Sequence, residues 1–352
     1  MKVLLTGSEG FIGGAVAAQL AAAGDEVVRV DLMIPEAHDA GAAAPAGTHQ
    51  VDVRDGEALA PLLRGVDAVC HQSAMVGAGV TVADLPSYAS HNDLATAVLL
   101  AAMAKAGVDR LVVASSMVVY GEGRYACEEH GVQTPGPRRL DALDAGDFEN
   151  HCTTCGRPLA WRTVDEDARF DPRSSYAASK VATEHYVAAW ARQAPGAAVA
   201  LRYHNVYGPR MPRDTPYSGV AALFRSALEQ GKPPNVFEDG GQMRDFVHVD
   251  DVARANVLAL RQVLEAPAES FISYNVCSGQ PVPIRRVAEL VARGTGRDDL
   301  APHVSGRYRL GDVRHVVASP HLAAERLGFR ARVGPGDGLA AFATAPLRHQ
   351  VV

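Results

Sequence analysis

The chain predicts an α/β architecture: a doubly wound parallel sheet with helices on both faces and a smaller C-terminal lobe. Three observations carry this reading. The chain opens on a short apolar strand, a glycine-rich turn and an alanine-rich helical stretch in immediate succession. Short apolar strands then alternate with helical stretches, as a parallel sheet requires. The composition, 352 residues with 47% hydrophobic and 21% charged content, is that of a chain long enough for one large domain or two lobes.

Residues 1–6 read as the first strand, followed by Gly7-Ser8-Glu9-Gly10-Phe11-Ile12-Gly13 and a helical stretch ending near Gly24. Glycines at 7, 10 and 13 permit a tight turn, close approach of backbone to a pyrophosphate and close helix packing. Phosphates then sit at the helix N-terminus, beside Phe11 and Ile12. A second strand over residues 26–30 ends in Asp31. An acid there accepts both ribose hydroxyls of adenosine and repels a 2′-phosphate, so NAD is favoured over NADP. No arginine stands at 32 or 33, although Arg29 lies close by. Residues 48–53, 67–71 and 110–116 read as further strands. In this Rossmann-type layout Asp52 and Val53 reach the adenine, while Ala74 and Asn92 line the nicotinamide side. Helices are read over residues 93–106 and 176–192, and residues 273–276 return to the main sheet. The organisation expected is a cofactor-binding domain over 1–204 with an insertion at 122–170, then a substrate lobe over 205–352. Proline-rich turns at 209–216 and 233–234 mark the change of character.

Tyr176 and Lys180 stand in a Ser-Ser-Tyr-Ala-Ala-Ser-Lys run. Four residues apart on a helix, they share one face, and an ammonium beside a phenol lowers its pKa from the ordinary value of about 10. A phenolate closer to neutral pH can take a hydroxyl proton while hydride leaves the same carbon. The pair alone is common in helices as a buried ring and a solvated amine. The cofactor turn upstream gives it weight.

With Thr6 to Gly13, Asp31, Ser115 to Gly121, Tyr176 with Lys180, Arg202 to Pro209, Arg244 to Asp251 and Tyr308 to His315 in order, the chain resembles the extended short-chain dehydrogenase/reductase family, in particular its nucleotide-sugar epimerases and dehydratases. The resemblance covers nearly the whole chain. It implies that Ser116 hydrogen-bonds the reacting hydroxyl, Tyr176 is the acid/base, and Lys180 binds the nicotinamide ribose and tunes Tyr176. It places Asn205, Arg244 and Arg309 on the substrate's diphosphate, which suits the planar guanidinium fork. Met117 and Asp312 fall beside the substrate, and Asn235 and Phe237 near its base. A dTDP- or UDP-linked sugar is the implied substrate, and a homodimer through helices 93–106 and 176–192 the implied assembly.

The residues after Ser116 bear on the reaction. In the family a 4,6-dehydratase is expected to carry Asp-Glu there, and decarboxylating relatives a Glu at the second position. Met117 and Val118 move no proton, and the run Ser116 to Tyr120 resembles UDP-galactose 4-epimerases. The resemblance then implies a redox loop: oxidation at carbon 4 to a 4-keto sugar, rotation of the sugar, and re-reduction from the other face. With the runs 202–210 and 309–315 and the cysteine-bearing insertion, the finer likeness is to dTDP-L-rhamnose 4-epimerases. A UDP-hexose or UDP-uronate 4-epimerase, a net 4-ketoreductase and a non-catalytic dinucleotide sensor stand as alternatives.

The insertion, about 50 residues, is long for a connection in a compact domain. Cys127-Glu128-Glu129-His130 and Cys152-Thr153-Thr154-Cys155 supply two ligand pairs with two-residue gaps, a set suited to structural zinc. Free thiols or a disulfide are the alternatives, and His151 is a rival ligand. Cys70 and Cys277 lie on apolar strands as reduced core residues. A net charge of −6 argues against nucleic acid. With a strand starting at Lys2 and no long apolar run, a cytoplasmic protein free of membrane segments is expected.

Overall fold

The computed structural model describes residues 1–34, 38, 43–77, 81–213 and 219–348. Of the proline-rich turn read at 209–216, residues 214–216 lie outside the described residues. Strands β1 (Lys2–Thr6), β2 (Glu26–Asp31), β3 (Thr48–Gln50), β4 (Ala68–His71), β5 (Arg110–Ser116), β6 (Ala197–Tyr203) and β7 (Ser270–Val276) form one parallel sheet among the described residues, ordered β7-β6-β5-β4-β1-β2-β3. The order reverses between β1 and β4, and a crevice opens there at the C-terminal ends of the strands.

Side-chain alternation of period two explains both cores. Val3, Leu5, Val112, Val199 and Leu201 face one side, against Val16 and Leu20 of helix α1 (Phe11–Ala22) and Val252 and Leu260 of Val249–Glu265. Leu4, Val69, Leu111, Val113 and Ala198 face the other. There they meet Leu99 and Met103 of α2 (Ala95–Ala106) and Val187 and Trp190 of α3 (Ser175–Gln193). Each such buried side chain stabilises the fold by about 1.5–3 kcal/mol.

Two elements differ from the sequence reading. The strand expected over 48–53 ends at Gln50, because Asp52 caps its own turn by accepting from the Arg54 backbone N–H at 2.9 Å. The helix expected from 93 is α-helical only from Ala95, and a π-helical turn over Ala89–Leu94 precedes it. Such turns recur at functional sites, and here Asn92 projects from it. Helix α3 starts where Ser174 Oγ accepts from the Ala177 N–H at 3.1 Å, an N-cap that fixes the first turn carrying Tyr176.

Helix α4 (Val249–Glu265) packs on α1, so the large body reclaims the chain from residue 249 to the end of β7. That return is longer than the 273–276 segment read from sequence. The lobe has its own core of Phe224, Leu228, Val236, Phe246, Val287, Leu290, Leu339 and Phe342. Asp245, fully buried, ties lobe to body by accepting from the N–H groups of Ser278 (2.5 Å) and Gly279 (2.8 Å). The insertion forms a small antiparallel sheet with Arg124–Cys127 between Gly131–Gln133 and Ala160–Arg162. No described helix is long and apolar enough to cross a membrane.

Candidate active site

A cavity of about 1260 Å³ occupies the crevice and extends under the lobe. The sheet body contributes Gly7, Gly10, Phe11, Ile12, Gly13, Asp31, Asp52, Val53, Ala74, Ser116, Met117, Tyr176 and Lys180 to its walls. The lobe side contributes Asn205, Asn235, Phe237, Arg244, Arg309 and Asp312. One expected residue is missing from the lining. Asn92 is buried behind the wall, accepting from Met75 N–H (2.7 Å) and donating to Met75 O (2.9 Å) and Ser179 Oγ (2.8 Å). It stitches the wall to α3 one turn after Tyr176, because its amide is used on both sides by protein groups.

The glycine turn leaves no room for side chains. A Cβ on Gly13 would lie 1.9 Å from Gly7 O, and one on Gly7, at φ +66°, would lie 2.9 Å from Ser73 N. The turn therefore closes directly onto the α1 N-terminus, a cradle for a pyrophosphate. Asp31 lies beside it, accepting from Glu9 N–H (2.9 Å), Met33 N–H (2.9 Å) and His38 Nε2 (3.2 Å). Burial alone would raise its pKa, but the His38 and two backbone hydrogen bonds hold the carboxyl below the usual range. Arg29 does not reach out for a phosphate: it pairs with Glu9 Oε1 at 2.6 Å. These groups fit NAD. Asp31→Ser is expected to weaken NAD binding about tenfold, the size of one or two charge-assisted hydrogen bonds. NADP should not overtake NAD in that variant while Glu9 holds Arg29. Parallel dissociation constants for the two dinucleotides check this, and a variant preferring NADP would overturn it. Asp52 is less available, since Arg54 holds it through Oδ2 at 2.5 Å and, chiefly by that hydrogen bond, keeps it ionised below the ordinary carboxylate range.

Ser116 ends β5 and Tyr176 stands in the first turn of α3, both in the cavity wall. The acidification of Tyr176 expected from Lys180 is reversed. Burial pushes the phenol up to about 12, and the Ser116 hydroxyl opposes this only in part. Lys180 Nζ lies 5.9 Å from the ring centroid and donates to Ala114 O at 3.0 Å. Burial also brings Lys180 down to about 8, against the pull of Glu184 and Asp93. Desolvation outweighs a single charge at that distance.

On the lobe side, Arg244 donates from Nη1 to Met243 O and Arg314 O (2.8 Å each) and from Nη2 to Val313 O (2.6 Å). One Nη2–H and the Nε–H remain for a ligand. Arg309 is 61% exposed, pairs with Asp312 at 2.9 Å and lies 5.4 Å over the Phe237 ring. Asn205 has a buried side-chain oxygen with no partner among the described residues. His204, within the run from Arg202 to Pro209, also lines the cavity. It is buried with neither ring nitrogen partnered among the described residues. Burial drops its pKa to about 3, so a neutral ring faces the cavity.

In the insertion, Cys127, His130, Cys152 and Cys155 bring their ligand atoms within 4.8 Å of one another. Cys127 Sγ lies 3.5 Å from His130 Nδ1 and 3.7 Å from Cys155 Sγ, and Cys152 Sγ lies 3.6 Å from His130 Nδ1. Around tetrahedral zinc the corresponding separations are about 3.8 Å for S···S and about 3.5 Å for S···N. All five cysteines are free, and a disulfide needs sulfurs about 2.05 Å apart. His151 is diverted to Asp147 at 3.4 Å.

A family model described as the NAD dependent epimerase/dehydratase family matches residues 3–139 and 153–277. The dTDP-L-rhamnose 4-epimerase of Burkholderia thailandensis is 33% identical over 339 residues, covering 94% of this chain and 90% of the relative. The solved UDP-glucose 4-epimerase of Thermotoga maritima with UDP-glucose superposes with a TM-score of 0.78 at 27% identity, over 97% of each chain. That of Thermus thermophilus in complex with NAD gives 0.74 at 30% identity, over 97% of this chain and 98% of the other.

Proposed function

As the chain belongs to the NAD-dependent epimerase/dehydratase family, we infer that it is an NAD-dependent nucleotide-sugar 4-epimerase, and we propose a dTDP-linked 6-deoxyhexose, dTDP-L-rhamnose first, as its substrate. The observation that carries the reaction type is the pair Met117 and Val118, both in the cavity wall next to Ser116. Neither can move a proton, so nothing there supports elimination of water, while exchange at a single carbon needs one acid/base group.

When bound, NAD accepts a hydride from carbon 4 and returns it. Tyr176 would take the 4-hydroxyl proton as its phenolate, a form that burial disfavours and a neighbouring positive charge favours, and give it back, while Ser116 would hold the same oxygen. Lys180, anchored on Ala114 O, supplies positive charge on the inner side of Tyr176. Arg244, Arg309 and Asn205 hold the diphosphate, and Phe237 with Asn235 the base. Binding at these remote groups keeps the keto sugar in place while it turns. Ala74, Met75, Val76, Met117 and Val118 line the cavity, and such apolar side chains beside the sugar would favour a methyl over a hydroxymethyl at carbon 5. The likeness to the dTDP-L-rhamnose 4-epimerase supports the same choice. A UDP-hexose reading is supported by the UDP-glucose-bound neighbour.

NMR of the purified protein with dTDP-L-rhamnose or UDP-glucose, without added reductant, tests this. The 4-epimer of the first is expected. Conversion of UDP-glucose alone would move the substrate to the UDP-hexoses, and turnover only with reduced cofactor would replace epimerisation by net ketoreduction.

Two further assignments belong to this reading. The four ligands of the insertion suit one zinc ion in a closed, structural site. A homodimer through α2 and α3 would cover Tyr186, 46% exposed on α3, and Leu94, 51% exposed just before α2.

A further inference from the structure

We propose that the ion held by Cys127, His130, Cys152 and Cys155 is a strut for substrate binding: it locks the insertion against residues 312–315 and so sets affinity for the nucleotide without touching the NAD site. The inference rests on the zinc reading above. It is carried by what flanks the ligands.

The apolar cluster around the ligands is Tyr125, Cys127, Cys152 and Leu159, with Trp161 packed against it, while Leu143, Phe148 and Val164 of the insertion are buried outside it. Two of the four clustered residues are metal ligands, so metal binding would supply much of the stability of this part of the insertion. Immediate neighbours of the ligands grip the substrate-side segment. Two residues before Cys127, Tyr125 Oη accepts from His315 N–H at 3.0 Å. Just before Cys152, Glu149 accepts from Arg314 Nε at 3.0 Å and His315 Nε2 at 3.1 Å. Asn150 donates to Glu122 Oε2 at 3.1 Å, and the same oxygen accepts from Arg314 N–H at 2.9 Å. Arg138, also in the insertion, donates to Asp312 O at 2.7 Å and Glu238 Oε1 at 2.8 Å.

The gripped segment is continuous with the candidate diphosphate groups. Arg244 donates to the carbonyls of Val313 and Arg314, and Arg309 pairs with Asp312. Arg314, fully buried, pairs across to Glu238 at 3.0 Å and Asp239 at 2.7 Å, next to Phe237. Buried charges left without their partners are costly. If the insertion loosens, Arg314 loses Glu149 and Arg244 loses the fixed carbonyls that aim it. No such contact runs from the insertion to the glycine turn or Asp31 among the described residues.

Untagged protein purified without chelator is expected to hold about one zinc per chain by elemental mass spectrometry. Stripping it with a chelator, or substituting the exposed ligand in Cys155→Ser, should weaken binding of dTDP and UDP in calorimetry by roughly tenfold or more. Bound NAD should stay unchanged, and added zinc should restore the stripped wild type. Protein that neither carries nor takes up zinc overturns the metal site and the strut together. Zinc loss with unaltered nucleotide affinity overturns the strut alone. So does loss of NAD in step with nucleotide binding, since the ion would then support the whole fold. If neither nucleotide binds the zinc-loaded wild type, the proposal falls with the substrate reading.

Discussion

Tyr176→Phe is expected to lower kcat about 10³-fold while leaving NAD bound and the fold intact, within the range for loss of a positioned acid/base. The ring stays, with its tilted contact to Tyr88 at 5.9 Å between centroids, so packing is preserved and only the proton-carrying oxygen goes. Ser116 and Lys180 cannot substitute. Ser116 is an aliphatic alcohol, and Lys180 Nζ is engaged with Ala114 O. The measurement is epimer formation by NMR together with bound NAD by absorbance. A variant that epimerises within tenfold of wild type would remove Tyr176 from the chemistry. Loss of NAD in that variant would show that the residue acts through the cofactor site instead.

Glu184→Ala is expected to destabilise the protein by about 3–5 kcal/mol, the usual consequence of leaving a buried charge unpaired. Glu184 on α3 accepts from Arg202 of β6 through Oε1 (2.9 Å) and Oε2 (2.7 Å), from Ser273 of β7 (3.1 Å) and from Ser115 of β5. Both charged side chains are buried, and Arg202 also donates to Tyr120 Oη at 2.8 Å and lies 4.9 Å over the Phe170 ring. One carboxylate thus ties the catalytic helix to three strands. Replacing both partners, as Glu184→Leu with Arg202→Met, should recover much of the loss, because no charge then remains buried alone. Urea unfolding of the two single variants and the double variant measures this. A loss under about 1 kcal/mol in Glu184→Ala would mean that water reaches Arg202.

Glu184 carried a readable signal. It lies four residues after Lys180 and eight after Tyr176, on the same helical face, and so had to share their burial. His204 stands between the end of β6 and Asn205, and nothing in its sequence neighbours tells a structural ring from one facing a cavity. The grip of the insertion on residues 312–315 left no local signal at all, since Glu149 and Arg314 meet across 165 positions of chain.

What the chain determined by itself is what depends on near neighbours. Period-two alternation set both faces of the sheet, the glycine spacing set the cofactor turn, and the two-residue gaps of Cys127 to Cys155 set the ligand cluster. The first two rest on backbone geometry within a few residues, and the gaps give each ligand pair, which the fold then joins across 22 and 28 positions of chain. What only the tertiary structure decided is what depends on solvent and on distant partners. Burial raised the Tyr176 phenol where a neighbouring ammonium was expected to lower it. Met75 and Ser179 drew Asn92 out of the cavity wall, and Glu9 occupied Arg29. The free energy of desolvating a charged or polar group is a property of its assembled surroundings, which no local spacing encodes.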